Sequence, residues 1–151
     1  MFDDRADAGR QLADLIEGHD VEADLVLAIP RGGLPVGRAV ADALAVPLDI
    51  VAARKLGAPG NPEFAIGAVA SDGTVFLNDE YIDQLGVDES YVDDAIEREH
   101  AAAQEKVDRY RGERPPLDLH DKTVVVVDDG VATGATTIAC LRQIRAAGAA
   151  R

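Results

Sequence analysis

The hydrophobic positions of the chain alternate between two kinds of pattern. Continuous apolar runs predict three strands, at residues 23–29, 46–53 and 122–128. Runs of this kind are typical of parallel strands that are covered on both faces. Helical spacing, or a composition rich in Ala, Val and Leu, predicts helices at residues 5–17, 34–44, 88–111 and 135–147. Strands that alternate with helices indicate an α/β fold with a parallel sheet.

The polar residues at the ends of two helices suit helix caps. Asp3 or Asp4 is expected to cap the first helix, and Ser90 with Asp93 fits a capping box near the start of the long helix. Four apolar residues of the first helix share one stripe and are predicted to face the core: Ala6, Leu12, Leu15 and Ile16.

Residues 54–80 are predicted to form a small hood over the sheet. The segment 54–73 holds four glycines and two prolines, so it is expected to begin as a loop. Ser71-Asp72-Gly73 then separates two short apolar runs, which predicts a hairpin. A loop that is rich in glycine and carries Arg54 and Lys55 is typical of a mobile lid. The alternative is a solvated surface hairpin with incidental basic residues.

The length of 151 residues suits a single domain, residues 1–151, with one core. Three parallel strands are few for an α/β sheet, since sheets average roughly five or six. Either a partner supplies the missing edge or the chain is the front part of a longer protein that lacks its C-terminal strands here. We favour the second interpretation, and we expect a homodimer.

The composition narrows the class of protein. A net charge of −13 argues against general nucleic-acid binding, because a phosphate backbone would be repelled. No apolar run is long enough to cross a membrane, the acidic N-terminus does not resemble a secretion signal, and the single cysteine excludes an internal disulfide. These features indicate a cytoplasmic protein. The chain holds 19 Asp and only three Lys, which suggests adaptation to a salt-rich cytosol or merely an acidic soluble surface.

The strongest chemical signal is VVVVDDGVATGATT, residues 124–137. Two carboxylates follow a strand at its carboxyl end, where open α/β sheets bind ligands. A loop of small residues then leads into a helix, so that successive backbone amides and threonine hydroxyls can converge on an anion. Because carboxylates repel phosphate, the acid pair is expected to face the vicinal hydroxyls of a sugar. A P-loop is excluded, since Ala135 stands where that motif needs lysine.

A second element is IPRGGLPVG, residues 29–37. Its two glycines free the backbone and allow it to approach a ligand closely, and Arg31 offers a fork of donors for phosphate oxygens. An Arg-Gly-Gly sequence at a strand end is also a common simple turn. We expect the strand order second, first, third, which brings this loop beside the acid pair at a switch point of the sheet.

These motifs resemble those of the type I phosphoribosyltransferases, which use 5-phosphoribosyl 1-pyrophosphate (PRPP). The loop at 132–134 is most similar to that of adenine phosphoribosyltransferases, and the run at 54–73 is similar to that of family members of unassigned substrate. The resemblance implies that Asp128 and Asp129 bind the ribose hydroxyls. It implies a 5′-phosphate site formed by Gly130, Val131, Ala132, Thr133, Gly134, Ala135, Thr136 and Thr137.

The resemblance also implies roles around the leaving group. Arg31, Gly32 and Gly33 would bind pyrophosphate, and Lys55 would stabilise its charge as it departs, so that Lys55, Arg31 and Asp129 are the catalytic residues. Mg²⁺ would be held through PRPP, with a water bridge to Asp128 and no direct protein ligand.

The function implied is transfer of a phosphoribosyl group from PRPP to a nitrogen acceptor, for which we expect a nucleobase, with release of pyrophosphate. A PRPP- or nucleotide-binding regulator without turnover would carry the same acid pair and loop, so it remains the alternative. A generic α/β scaffold with a tight turn is the third reading of the sequence.

Overall fold

The structure is a computed structural model that describes all 151 residues. In chain order the elements are α1 (Arg5–Gly18), β1 (Leu25–Ala28), α2 (Gly33–Leu44), β2 (Leu48–Ile50), β3 (Ala53–Ala58), β4 (Asn61–Ala70), β5 (Val75–Leu77), α3 (Asp79–Leu85), α4 (Glu89–Arg111), β6 (Val124–Val127) and α5 (Ala135–Ala146). The chain divides into two compact units. The first comprises Met1–Val51, Arg114–Val131 and Ile144–Arg151, and the second comprises Ala52–Glu113 and Ala132–Gln143.

The first unit is built on a parallel sheet of three strands in the order β2-β1-β6. This confirms the predicted order, and Val26 of the central strand pairs with Leu48 on one side and Val125 on the other. All four residues of β1 are buried, as its continuous apolar run predicted. The expectation of a buried β6 was wrong for three of its four residues, because β6 has a strand on one side only; Val127 alone is buried.

Helices α1 and α2 pack closely in the first unit. A Cβ atom at Gly9 would lie 2.6 Å from both the Cβ of Ala39 and the carbonyl oxygen of Val36, so only glycine fits there. The core they cover consists of Val26, Val36, Val40, Ala41 and Val127, with Leu12 and Ile16 packed against it. Asp4 caps α1, as predicted, by accepting a 2.7 Å hydrogen bond from the amide of Asp7. Leu15 does not join the predicted core stripe, and 61 % of its surface is exposed.

The last residues of the chain lie beside β6. The amide of Val124 donates to the carbonyl of Arg151 at 2.8 Å, and the amide of Ala150 donates to the carbonyl of Lys122 at 2.9 Å.

The second unit is built on an antiparallel sheet in the order β3-β4-β5. Its β4-β5 hairpin turns at residues 71–74, which confirms the predicted hairpin. The loop predicted at 54–60 was wrong, because residues 53–58 form β3 and pair with β4. Leu56 and Ala58 are buried in the core of this unit, and this burial outweighs the local preference of the glycines for a loop.

Gly57 of β3 and Gly60 of the turn after it suit the pairing of β3 with β4. A Cβ atom at Gly57 would lie 2.7 Å from the carbonyl oxygen of Pro62, at a point where the pairing register shifts. Gly60 has a φ of +74°, the left-handed conformation that a tight turn requires.

Two helices complete the second unit. Asn78 caps the short α3, which the sequence patterns did not indicate, by accepting a hydrogen bond from the amide of Tyr81. The long α4 begins one residue later than expected, and its N-cap is Asp88, so the capping box expected at Ser90 and Asp93 was wrong. Val92 and Ala95 of α4 pack into the same core as Leu56.

None of the helices combines the length and the apolar character needed to span a membrane.

Candidate functional site

The carboxyl ends of β1 and β6 lie side by side in the first unit. The amide of Ile29 donates to the carbonyl of Val127 at 2.9 Å, which extends the strand pairing to the last residue before the turn at residues 30–33. In that turn the peptide bond between Pro30 and Arg31 is cis, and the amide of Gly33 donates to the carbonyl of Ile29 at 3.0 Å as α2 begins. The two loops that the sequence singled out in this unit are therefore neighbours.

The glycines at the start of α2 lie against the acid pair. A Cβ atom at Gly32 would overlap the carboxyl group of Asp129, and one at Gly33 would lie 2.8 Å from the carbonyl oxygen of Val127 and 3.1 Å from the Cα of Asp128. Gly32 has φ −65° and ψ −31°, a conformation open to any residue. Glycine is therefore needed at 32 and 33 because the backbone there lies close to Asp128 and Asp129. The unusual backbone conformations that the sequence led us to expect of these two glycines do not occur.

The acid pair has its own geometry. The amide of Asp129 donates to the Oδ1 of Asp128 at 2.8 Å, which holds the Asp128 carboxyl group against the backbone of Asp129. Arg5, at the start of α1, donates to the Oδ2 of Asp129 from Nη2 at 2.7 Å and from Nε at 3.2 Å. This hydrogen bond from Arg5 is the main reason that the pKa of Asp129 lies below its usual value. Asp129 is therefore an anion at neutral pH, and its Oδ2 already accepts from Arg5.

Arg5 is the residue of this site that sequence reasoning set aside. Arg5 is the first residue of α1 and Arg10 lies within it. From the sequence, either arginine could reach a phosphate, and a charge cluster at the start of the helix is the simpler interpretation. The structure gives the two arginines different partners. Arg10 pairs with Asp7 of its own helix at 3.5 Å, whereas Arg5 pairs with Asp129. No spacing signal could have revealed a contact between residues 124 positions apart.

The loop after the acid pair leads into α5, with Thr133 to Thr137 in the second unit. Gly134 has a φ of +83°, so glycine is required there by the backbone conformation. The amide of Ala135 makes a long 3.4 Å hydrogen bond to the hydroxyl of Thr133, and the first helical bond runs from Ile138 to Gly134. The amides of Thr136 and Thr137 donate no hydrogen bond within the chain. A helix start of this kind can bind an anion.

The basic residues of β3 lie in the second unit. Lys55 donates from Nζ to the Oε2 of Glu63 at 2.9 Å, and this contact lowers the pKa of Glu63. Arg54 pairs with Glu99 of α4, also at 2.9 Å, and so fastens β3 to the helix. In the first unit Arg31 is exposed and forms no salt bridge within the chain.

Comparison with known proteins places this geometry in a family. The family model of the phosphoribosyl transferase domain matches residues 3–151. Two Mycobacterium tuberculosis proteins, from strains CDC 1551 / Oshkosh and H37Rv, are provisionally named phosphoribosyl transferases. Each is 42 % identical to this chain over 149 residues, covering 99 % of the chain and 34 % of the relative. The chain thus spans about a third of the length of these curated relatives.

Two solved structures are similar to the chain. The crystal structure of TT1426 from Thermus thermophilus is 41 % identical, with a TM-score of 0.80, over 99 % of this chain and 71 % of TT1426. The purine phosphoribosyltransferase of Pyrococcus horikoshii Ot3 is 18 % identical, with a TM-score of 0.54, over 97 % of this chain and 67 % of that one, and supports the α/β fold alone. With the match of the family model over nearly its whole length, the chain belongs to the phosphoribosyltransferase family.

Proposed function

We propose that this chain binds PRPP and transfers its phosphoribosyl group to a nitrogen acceptor, a nucleobase, with release of pyrophosphate. The observation that carries the proposal is the close approach of Gly32 and Gly33 to Asp128 and Asp129 at the carboxyl ends of two adjacent parallel strands. Such a switch point is where open α/β sheets bind their ligands. Membership of the family supplies the class of substrate.

The acid pair is assigned to the sugar. Vicinal hydroxyls donate hydrogen bonds, and ionised carboxylates accept them, so Asp128 and Asp129 suit the ribose 2′- and 3′-hydroxyls. Asp129, whose pKa lies below the ordinary aspartate value, is ionised at neutral pH and so can accept these hydrogen bonds. The 5′-phosphate is assigned to residues 130–137, where the unpaired amides of Thr136 and Thr137 support an anion site.

The pyrophosphate is assigned to two cationic elements. Arg31 belongs to the loop that adjoins the acid pair, is exposed and has no carboxylate partner, so its guanidinium is available to phosphate oxygens. Lys55 is assigned to the departing pyrophosphate, which requires its ammonium group to leave Glu63. Both contacts strengthen as negative charge accumulates on the leaving group.

The reaction needs no protein nucleophile. The bond between the anomeric carbon and the pyrophosphate oxygen breaks, and the electron pair leaves with pyrophosphate. The acceptor nitrogen forms the new bond to the same carbon and releases its proton to water. Asp129 carries negative charge beside the sugar as that carbon becomes cationic, so positioning and electrostatics supply the catalysis.

The side chains at this site could provide only part of a Mg²⁺ site. The chain has no group of three or more His, Cys, Asp or Glu side chains arranged to hold a metal ion, whereas Asp128 and Asp129 offer two adjacent carboxylates. This donor set suits an ion bound mainly through PRPP and water, with a water bridge to Asp128. When bound, Mg²⁺ would neutralise charge on the pyrophosphate.

We place this activity in the cytoplasm, in a homodimer. Sedimentation velocity of the 151-residue chain tests the second point.

The test is titration calorimetry of the 151-residue protein with PRPP and MgCl₂. The double variant Asp128→Asn/Asp129→Asn is expected to lose at least about a hundredfold in affinity, because two charge-assisted hydrogen bonds become weaker neutral ones. Asp93→Asn/Asp94→Asn, which changes an exposed adjacent pair on α4, is the matched control and should bind as the wild type does. Unchanged affinity in Asp128→Asn/Asp129→Asn would overturn the proposal.

A second assay tests whether the protein is an enzyme or a regulator that binds PRPP without turnover. Pyrophosphate release is measured with PRPP, MgCl₂ and a panel of nucleobases. Tight PRPP binding without pyrophosphate release from any base would identify a PRPP-binding regulator instead.

A further inference from the structure

A cavity of about 600 Å³ runs along one face of α1 in the first unit, within the size range of small-molecule pockets. Its apolar wall is formed by Phe2, Ala8, Leu12, Leu15 and Val36. Phe2 and Leu15 are large apolar side chains that leave 60 % and 61 % of their surface exposed. Exposed apolar residues gathered on one concave surface indicate a binding site rather than incidental exposure.

The α1 residues of this wall follow from helical spacing. Ala8, Leu12 and Leu15 lie four and three positions apart, so they share one face of the helix. Gly9 and Ala13, on the next face, are buried in the contact with α2 and in the core. The helix thus uses one apolar face for the core and the neighbouring face for the cavity, which explains why Leu15 is exposed despite its apolar periodicity.

The cavity reaches the acid pair. Asp128 and Asp129 belong to its lining. In the proposed function these carboxylates hold the ribose 2′- and 3′-hydroxyls, and the anomeric carbon is bonded to the carbon that bears the 2′-hydroxyl. The acceptor nitrogen must come within roughly 3–3.5 Å of that carbon to react. An acceptor seated in this cavity would therefore be next to the reacting atom.

The polar groups of the lining define what the cavity can accept. Gln11 donates from Nε2 to the carboxylate of Asp7 at 2.9 Å, which turns its carbonyl Oε1 toward other donors because a carboxylate can only accept. Asp4, Asp128 and Asp129 bring three carboxylates to the lining, against one guanidinium from Arg5. This excess of negative charge disfavours an anionic ligand and favours one that donates hydrogen bonds.

We propose that this cavity is the acceptor site and that its ligand is a neutral, planar heteroaromatic base with an N–H or amino edge. The apolar wall of Phe2, Leu12 and Leu15 contacts the ring face, and Gln11 accepts a hydrogen bond from the ring edge. Bases that carry a carboxylate are excluded by the acidic lining. The inference rests on the proposed function for the position of the sugar, and it assigns acceptor choice to α1 rather than to the predicted hood at 54–80.

The test follows binding at the cavity itself. The backbone amides of Ala8, Leu12 and Leu15 are monitored by ¹H–¹⁵N NMR during titration with adenine, guanine or hypoxanthine, and separately with orotate or nicotinate. The titrations are run with and without ribose 5-phosphate, which supplies the sugar without turnover. We expect at least one neutral base to shift these amides and to bind at least tenfold more tightly than either carboxylate-bearing base.

Two variants test the location. Ala8→Phe fills the cavity, and Leu15→Glu, at an exposed position that tolerates substitution, adds charge to its apolar wall. Each should lower the affinity for the neutral base at least tenfold and change PRPP affinity less than twofold. Ala101→Phe places the same new ring on an exposed position of α4 and should leave both affinities unchanged.

The outcomes separate the two proposals. Neutral bases that shift no cavity amide, unaltered base binding in both variants, or tighter binding of orotate would each overturn the acceptor site while PRPP binding stands. Base binding at the cavity in a protein that does not bind PRPP would instead refute the proposed function and leave the site as a binder of neutral heteroaromatic molecules.

Discussion

Arg5 and Asp129, 124 positions apart in the chain, form a salt bridge of 2.7 Å between Nη2 and Oδ2. The contact joins the start of α1 to the acid pair at the end of β6 within the first unit. Because 59 % of the Arg5 side chain and 32 % of the Asp129 side chain are exposed, solvent screens the pair, and its net contribution to stability is ~1 kcal/mol or less. The contact also lowers the pKa of Asp129.

Replacing Arg5 is expected to raise the pKa of Asp129. In Arg5→Gln the carboxylate loses its charged donor, which is the largest cause of its depressed pKa. The measurement is a carboxyl ¹³C NMR titration of Asp129. Arg10→Gln, which removes the neighbouring arginine that pairs with Asp7, should leave the pKa of Asp129 in place.

The lowered pKa of Asp129 also determines how the stability of the protein depends on pH. The pKa of Asp129 is lower in the folded protein than in the unfolded chain. Its contribution to the free energy of unfolding is therefore complete above the pKa of the unfolded state, and it is lost as the pH falls through the pKa of the folded state. The acid-side loss of stability should therefore be smaller in Arg5→Gln than in the wild type. An equal loss in both proteins would show that the bridge has no part in it.

Substitutions at the two glycines should have different effects. In Gly33→Ala the new methyl group meets the backbone at Val127 and Asp128, which cannot move aside, so we expect a destabilisation of about 1–3 kcal/mol in urea unfolding. In Gly32→Ala it meets only the Asp129 carboxyl group, which can rotate away from Arg5. That variant should keep most of its stability and lose PRPP affinity.

Gly18→Ala is the control for both variants, because no atom lies within 4 Å of a Cβ placed there. It should be neutral or slightly stabilising, as alanine is favoured in helices by roughly 0.5–1 kcal/mol. A Gly33→Ala protein as stable as Gly18→Ala would contradict the close approach of the two loops.

Lys55→Ala should separate binding from turnover. If Lys55 stabilises departing pyrophosphate, its removal lowers the rate of pyrophosphate release by about a hundredfold and changes the Kd for PRPP only a few-fold. Arg38→Ala removes an exposed cation that pairs with Asp42 on α2 and serves as the control. Parallel losses of PRPP affinity and rate in Lys55→Ala would show that Lys55 serves binding alone.

Salt should stabilise the protein if its acidity is an adaptation to a salt-rich cytosol. A net charge of −13 causes self-repulsion, and raising KCl from about 0.1 M to about 1 M shortens the Debye length from roughly 10 Å to roughly 3 Å. The midpoint of thermal unfolding, followed by circular dichroism, should then rise with KCl. It should rise less in Asp93→Asn/Asp94→Asn, which carries two fewer negative charges. A midpoint independent of KCl would leave an ordinary acidic surface as the explanation.

The strands and helices of the first unit could be predicted from local pattern. The continuous apolar run before Pro30 predicted the buried central strand, and Asp4 was recognised as a cap, because both depend on neighbours in sequence. The prediction failed at residues 54–60, where glycine content suggested a loop and pairing with β4 made a strand. Leu15 was misplaced because helical periodicity identifies an apolar face and does not say whether protein or a cavity covers it.

The sequence by itself determined the acid pair, the small-residue loop after it and the Arg-Gly-Gly turn, because each is a short run whose chemistry is set by its own side chains. The parallel strand order expected from it, β2-β1-β6, is also the observed one, since few arrangements bring both loops to one switch point. Only the tertiary structure decided that Gly32 and Gly33 are needed for contact with Asp128 and Asp129, that Arg5 sets the ionisation of Asp129, and that α1 lines a cavity beside them. Those features join residues far apart in the chain, and long-range packing, which leaves no local pattern, creates them.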